Sequence, residues 1–263
     1  MQQGMRISAS GAMVALYRTD LHAANLANVD TVAFKPDSAS IQSRLVVREE
    51  DNLPMLPSDR LLEKLGAGVL AGPRRVDFAQ GPLQATGNDL DLALEGRGFF
   101  MVRAQGPDGA QVRLTRDGRL TRNSTGQLVQ AATGLPVLSP GGSPIVLPDG
   151  LGPVAIDHRG VLTDTAGRAV GQLAVVDVPD PTVLHKAGHG LYQAPPAALA
   201  QAQQATELGT RVHQRMVEGS AVDPIKALLE LTDAGKAVAS NTRMIGYHDQ
   251  LLDQAINTFA RVA

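Results

Sequence analysis

His185 and His189 stand four residues apart, the spacing at which two imidazoles share one helix face and can hold one metal ion. Their context, Leu184-His185-Lys186-Ala187-Gly188-His189-Gly190 with Pro179 and Pro181 upstream, argues against a helix. No cysteine or nearby carboxylate completes a ligand set, so a solvated loop is the better reading. Gly66-Ala67-Gly68-Val69-Leu70-Ala71-Gly72 has the glycine density of a phosphate-cradling loop, but such loops need a strand before and a helix after. Here Leu61, Leu62 and Leu65, behind a capping Ser58, read as a short helix, and Pro73 follows; the glycine run reads as a turn.

Two charged clusters invite other chemistry. Six arginines (97, 103, 113, 116, 119 and 122) against Asp108 and Asp117 give residues 97–122 a local charge of +4. A phosphate-contacting surface would want aromatic side chains interleaved, and these are missing, so a solvated face or an interface with an acidic neighbour fits better. Asp89, Asp91 and Glu95 alternate with Leu90, Leu92 and Leu94, which reads as the polar face of an exposed strand. There is no G-x-S-x-G and no G-K-[ST] loop. The expectation is a chain with no catalytic, cofactor or metal site.

The composition narrows the classes further. The 263 residues suggest one or two domains, and 43% hydrophobic content allows a sizeable core. Absence of cysteine removes disulfides, thiol nucleophiles and Cys-ligated metals. A net charge of −2 gives no global drive toward nucleic acid or anionic lipid, and 3% aromatic content is poor in stacking platforms. No apolar stretch is long enough to span a bilayer, so no membrane insertion is expected. The N-terminus lacks a basic segment followed by a long apolar one, so no cleaved signal is expected.

The elements that would position these residues fall into four segments. Residues 1–35 carry an apolar helical stripe, Ile7, Val14 and Leu21, ending near Asn28–Asp30. Residues 36–80 read as a connector or arm. Residues 81–207 form a β-rich domain, with glycines at 118, 126, 134, 142 and 150 punctuating short apolar runs, and with Asp117-Gly118 and Arg159-Gly160 as hairpin turns. Residues 208–263 turn helical, starting at Asp223-Pro224. Leu231, Val238, Ile245, Leu252 and Phe259 recur there every seven residues, with Leu228, Gly235, Thr242, Asp249 and Ile256 in the second seam position. The fold class is therefore mixed: a mainly β central domain, irregular sandwich or barrel-like, flanked by terminal helices that pair as a coiled-coil-like core, within one chain or between neighbouring subunits.

Three blocks resemble one family. The first is Ala9-Ser10-Gly11, then Ala23-Ala24-Asn25-Leu26-Ala27-Asn28-Val29-Asp30-Thr31 and Phe34-Lys35. The second and longest runs from Gly81 through Thr86-Gly87-Asn88-Asp89-Leu90-Asp91 to Gly96-Arg97-Gly98-Phe99-Phe100. The third is Val217-Glu218-Gly219-Ser220-Ala221-Val222-Asp223-Pro224, followed by Asn241-Thr242-Arg243-Met244-Ile245. In this order they resemble the axial proteins of the bacterial flagellum, the family of rod and hook subunits, and most nearly its rod proteins. The chain departs from the family pattern at Ala24 (usually Asn), Ala33 (usually Gly), Ala221 (usually Asn) and Val238-Ala239 (usually an aromatic-Glu pair).

The resemblance implies a structural subunit of the basal-body rod, polymerising helically into a drive shaft. It implies self-association, rod and hook proteins and the flagellar type III export apparatus as partners, and a periplasmic location reached without a cleaved signal. A hook-type or accessory axial protein is the alternative, and a ligand-binding β-domain with helical arms a more distant one. The axial interface would use the helical stripes together with Asn25, Leu26 and Asn28.

Overall fold

The computed structural model describes residues 2–46, 66–106, 109–148, 150 and 152–260. The short helix expected at 58–65 lies outside them. The chain forms two compact units. One gathers Met1–Ala27, Asp37–Asp77 and Asp223–Ala263, and the other Asn28–Pro36 and Phe78–Val222. Residues 28–36 and 208–222, expected with the helices, thus belong with the β-rich unit, and much of the expected connector belongs with the helices.

The first unit is built on two long helices, α1 (Gln2–Ala27) and α2 (Pro224–Ala260), with an antiparallel ribbon of β1 (Asp37–Ser43) and β2 (Val69–Val76). Helix α2 starts as expected: the Asp223 carboxylate accepts from the backbone N–H of Ile225 at 2.9 Å and of Lys226 at 3.1 Å. The helices run antiparallel. Gly4 meets His248, Gly11 meets Asn241, and His22 Nδ1 lies 3.2 Å from a Glu230 carboxylate oxygen, so each step along α1 is matched by an equal step back along α2.

One of the two seam positions lies one residue away from where the sequence pattern puts it. Leu231, Val238, Ile245 and Leu252 are half-buried in the seam, but the alternate position is filled by Ala227, Ala234, Asn241, His248 and Ala255. Leu228 and Ile256, expected there, are 53% and 63% exposed. Close helix approach selects for small side chains: a Cβ on Gly4 would lie 2.6 Å from His248 Cε1, and one on Gly11 2.7 Å from Asn241 Oδ1. The glycine run also differs from expectation, because Val69 onward is strand β2, paired through Ser43↔Val69, Gln42↔Leu70 and Ile41↔Ala71.

The second unit holds β3 (Leu83–Ala85), β4 (Leu92–Glu95), β5 (Phe99–Gly106), β6 (Gly109–Thr115), β7 (Leu120–Arg122), β8 (Leu128–Gln130), β9 (Ala155–Ile156), β10 (Val161–Thr163) and β11 (Ala169–Gln172). It continues with β12 (Val175–Asp177), β13 (His185–Gly188), β14 (Leu191–Gln193), β15 (Gln203–Gln204), β16 (Arg211–Gln214) and β17 (Met216–Glu218). A six-stranded sheet runs β13-β14-β6-β5-β12-β15, a three-stranded one β11-β10-β9, and β16 pairs with β4, β17 with β3 and β7 with β8, all antiparallel. Leu92, Leu94, Phe100, Val102, Leu128, Leu162 and Val175 make the centre of the core.

One turn recurs three times and accounts for Gly126, Gly160 and Gly167. Asn123, Asp157 and Asp164 each accept, through Oδ1, the N–H groups two and four residues on, and a glycine three residues on takes φ near +78°. These turns join β7 to β8, β9 to β10 and β10 to β11. Asp117-Gly118 is not such a hairpin. Its glycine lies under β4, where a Cβ would come 1.9 Å from the Leu92 carbonyl oxygen, and Leu92 N donates to Gly118 O at 2.9 Å.

Candidate functional site

Parts of all three sequence blocks meet in the β-rich unit. Strand β3, opening the second block, pairs with β17 from the third through Leu83↔Glu218, Gln84↔Val217 and Ala85↔Met216. Gly81 packs directly on Gly219, where a Cβ would sit 2.2 Å from the carbonyl oxygen. From the first block, Ala33 N donates to Glu218 O at 2.7 Å, and Ala221 N donates back to Phe34 O at 3.0 Å. Backbone hydrogen bonds alone therefore hold three segments far apart in sequence.

At their meeting point lies a buried charge cluster. Lys35 and Glu218 are fully buried and Arg116 is 4% exposed. The Lys35 ammonium donates to Glu218 Oε1 and, at 2.7 Å, to Ala79 O. Glu218 Oε1 also accepts from Gly81 N at 2.9 Å, and Oε2 from Arg116 at 3.3 Å. Arg116 donates in addition to Gly96 O at 2.8 Å and stacks over Phe99, 5.2 Å from the ring centroid. Burial pushes the Arg116 guanidinium below its ordinary range, and the Glu218 carboxylate opposes that shift.

Four of the eight aromatic residues, Phe34, Phe78, Phe99 and Tyr192, lie near this cluster. Phe78, Phe99 and Tyr192 make a three-ring group with centroids 5.2–5.7 Å apart, and Lys186 sits 4.5 Å above Phe34 while donating to Lys35 O at 2.6 Å. A cavity of about 400 Å³ opens beside them, lined by Val32, Phe34, Leu191 and Tyr192 with Arg119 and Lys186 at its edge. Arg119 is engaged by Asp117 at 3.0 and 2.7 Å, which holds its guanidinium above the ordinary range, and Lys186 by the contacts above. The cavity is a mostly apolar hollow whose cations are already committed.

The rest of the second block is structural. Gly96 and Gly98 have φ of +108° and +132°; a Cβ on Gly98 would lie 2.7 Å from that of Ala205. Phe99 and Phe100 are core, Leu90 packs against it, and Asn88 Nδ2 donates to Asp91 Oδ1 at 3.0 Å. Thr86 and Gly87 are exposed, their N–H groups donating to Arg215 O at 2.9 and 3.4 Å.

The candidate carboxylates do not form an exposed face. Asp91 is 8% exposed, Leu92 to Leu94 are fully buried because β4 is covered on both sides, and the acids go separate ways: Asp89 to Arg215 at 2.7 Å, Glu95 to His213 at 2.6 Å. The arginines are likewise dispersed: Arg97 to Asp177 and Pro179 O, Arg103 to Gly142 O, Arg113 to Gln111. His185 lies in edge strand β13 and His189 in the turn after it, both exposed; this stretch is a hairpin rather than a loop. No group of three or more metal-ligating side chains occurs among the described residues.

Of the expected helical residues, Val14, Leu21 and Asn25 are buried within the first unit. Asn25 accepts from Asp37 N at 2.9 Å and donates to Asp37 O at 2.8 Å, tying β1 to α1. Ile7 lies beside Gly68, Leu26 is half-buried, and the side chain of Phe259 is outside the described residues. Asn28 belongs to the other unit, where its carbonyl and side chain accept from Thr31. Sequence reasoning missed Lys35, Arg116 and Glu218 as a group, although Lys35 and Glu218 each stand as a charge inside a signature block of small and apolar residues.

Comparison with known proteins shows what the chain is similar to. The family described as the flagellar hook protein FlgE/F/G D1 domain matches residues 93–164. The flagellar basal-body rod protein FlgF of Caulobacter vibrioides is 32% identical over 269 residues, covering 100% of both chains. The rod protein FlgG of Agrobacterium fabrum is 27% identical, covering 95% of this chain and 96% of its own. The flagellar hook-basal body complex protein FlhO of Bacillus subtilis is 26% identical over the full length of both.

Proposed function

The chain belongs to the flagellar basal-body rod protein family, and from that premise we propose that it polymerises helically as a rod subunit and transmits torque from motor to hook. It is a structural component of the basal body, in a family that is structural rather than enzymatic. The observation that supports polymerisation is the surface left on the helices after they have paired. Their seam is satisfied within the chain, yet Met13, Leu16, Ile225, Leu229, Tyr247 and Leu251 are each more than half exposed. Exposed apolar side chains at this density on a monomer mark an association surface. A head-to-tail contact that does not close gives an open filament, which suits a shaft.

On this reading the partners are further copies of the chain, other rod and hook proteins and the flagellar export apparatus. The site of action is the periplasmic part of the basal body, reached without a cleaved signal. The terminal helices form the axial core in coiled-coil-like packing, and the β-rich unit forms the outer layer. A hook-type or accessory role is the second reading, favoured by the full-length similarity to the Bacillus subtilis hook-basal body complex protein.

The test is electron microscopy of basal bodies from a strain lacking the chain, complemented with the full chain or with one lacking residues 231–259. The proposal expects missing or shortened rods in the deletion strain, restored only by the full chain. Normal rods and motility with the truncated chain would overturn it.

A further inference from the structure

Two histidines lie in the seam between α1 and α2, one towards each end. His22 Nδ1 is 3.2 Å from a Glu230 carboxylate oxygen, and its side chain is 12% exposed. A positive charge on this ring is poorly placed. Arg18 stands one turn earlier on α1, and Lys226 lies 4.0 Å from the other Glu230 oxygen. From the ribbon, Arg74 reaches the Tyr17 hydroxyl at 3.3 Å, and the Asp37 main chain bonds Asn25. Burial pushes the His22 ring below its ordinary range; Glu230 opposes the shift and Arg18 adds to it.

His248 sits against Gly4 at the other end, and its Nδ1 is buried with no hydrogen-bond partner. Three and four residues away on α2 stand Met244, Ile245, Leu251 and Leu252, and one turn past Gly4 on α1 stand Ile7 and Ser8. None of these carries a charge. The titratable groups on the adjoining stretches are Arg6 of α1, Arg44 after β1, and Arg243, Tyr247, Asp249 and Asp253 of α2; all but Arg44 are exposed. About three turns separate His248 from the end of α2, too many for the helix dipole to favour a charge. A neutral imidazole has one N–H and one lone pair, whereas a protonated ring has an N–H at both nitrogens. A proton added to His248 in the closed pair therefore makes Nδ1 a buried donor without an acceptor, and adds a charge with no counter-ion beside it.

We propose that the helix pair is an acid-released clasp, in which neutral His22 and His248 hold α1 on α2 and protonation of the two rings parts the helices. The device stands apart from the rod-subunit reading and does not depend on it. Histidine is the side chain whose charge changes between about pH 5 and 8. The other members of the seam are aliphatic residues, alanines and Asn241, which do not titrate in that range. Two proton sites, one towards each end, act on the pair along its length. Parting the helices frees Ile7, Val14 and Leu21 of α1 and Leu231, Val238 and Ile245 of α2 from each other, so the availability of these residues becomes a function of pH. The four remaining histidines, His158, His185, His189 and His213, lie in the β-rich unit and are at least partly exposed, so that unit serves as the internal control.

The test is hydrogen exchange of the full-length monomer, read by mass spectrometry across the histidine range and corrected for the intrinsic effect of pH on exchange. Between about pH 7.5 and about pH 5, protection of α1 and α2 is expected to fall at least about tenfold while the β-rich unit keeps its own. H22Q and H248Q should each retain part of the response, and H22Q/H248Q should lose less than about twofold. Helix protection that does not change with pH in the wild type, an equal fall in the β-rich unit, or a full response in the double variant would each overturn the proposal. Should the double variant leave the helices unprotected even at neutral pH, the wild type decides. Its imidazole rings are followed by NMR with ¹³C-labelled histidine, the two seam signals being assigned from the single variants. Their titration is expected in step with the loss of helix protection; titration of both rings with the helices still protected would overturn the clasp.

Discussion

The Lys35 ammonium and the Glu218 carboxylate are bonded to each other with neither exposed to solvent, across 183 residues of sequence. Arg116 on the second carboxylate oxygen and Gly81 N on the first complete the satisfaction of Glu218. The pair closes the β-rich unit by joining the segment that follows α1 to the strand that precedes α2. Removing Glu218 strands two cations in a low-dielectric site, so E218Q should lose about 3–5 kcal/mol in urea unfolding followed by circular dichroism, whereas K35M leaves Glu218 paired with Arg116 and should lose less. The double variant K35M/E218L should recover part of that loss; a double variant worse than the sum of the singles would contradict this account.

Ala33 has φ of +56° and is 2% exposed, in the position where the family usually carries glycine. The left-handed conformation is strained for alanine by about 1 kcal/mol, offset in part by the greater freedom of glycine in the unfolded chain. A33G should therefore stabilise the protein by up to about 1 kcal/mol, read as a rise in melting temperature. A fall would show that packing of the Ala33 methyl outweighs the strain.

His22 supplies a pH dependence. Burial pushes its pKa below 6.5, helped by Arg18 and opposed by Glu230 across the seam. A folded-state pKa below the unfolded one means the native state favours neutral imidazole. Its contribution is complete above pH 6.5 and is lost as pH falls through the lower folded value. Unfolding free energy should drop between pH 7.5 and pH 5 more steeply in the wild type than in H22Q. Parallel curves for the two would remove His22 from the account.

What was legible in the sequence was pattern, and what was not was proximity. The seven-residue recurrence of Leu231, Val238, Ile245 and Leu252 is legible because it is periodic, and these four residues make one half of the half-buried stripe of α2. The other half was misassigned by one residue because Leu228 and Ile256 look better suited to burial than Ala227, Asn241 or His248. The glycines of α1 reverse that preference, and they speak only once α2 lies against them. Asp91 looked exposed because alternation marks a half-buried strand, whereas β4 is covered on both sides. The blocks that carry the resemblance were plain, but no local signal says that Lys35, Arg116 and Glu218 share one buried point.

Gly11 and Asn241 give the sharpest test of the helix pair. The Asn241 side chain is held in place by donating to Ala237 O at 2.8 Å, and its Oδ1 lies 2.7 Å from where a Cβ on Gly11 would stand. G11A must push that side chain out of its hydrogen bond or part the helices, so it should destabilise the pair by about 1–3 kcal/mol, the range for overpacking a close-packed contact. N241A alone vacates space and loses one partly exposed hydrogen bond, a cost of about 1 kcal/mol. In G11A/N241A the new methyl has room, so the double variant should be more stable than the two single losses added together, a coupling of at least about 0.5 kcal/mol. Helical circular dichroism at 222 nm against denaturant measures all four proteins. Strict additivity would mean that α1 and α2 do not meet in this register in solution.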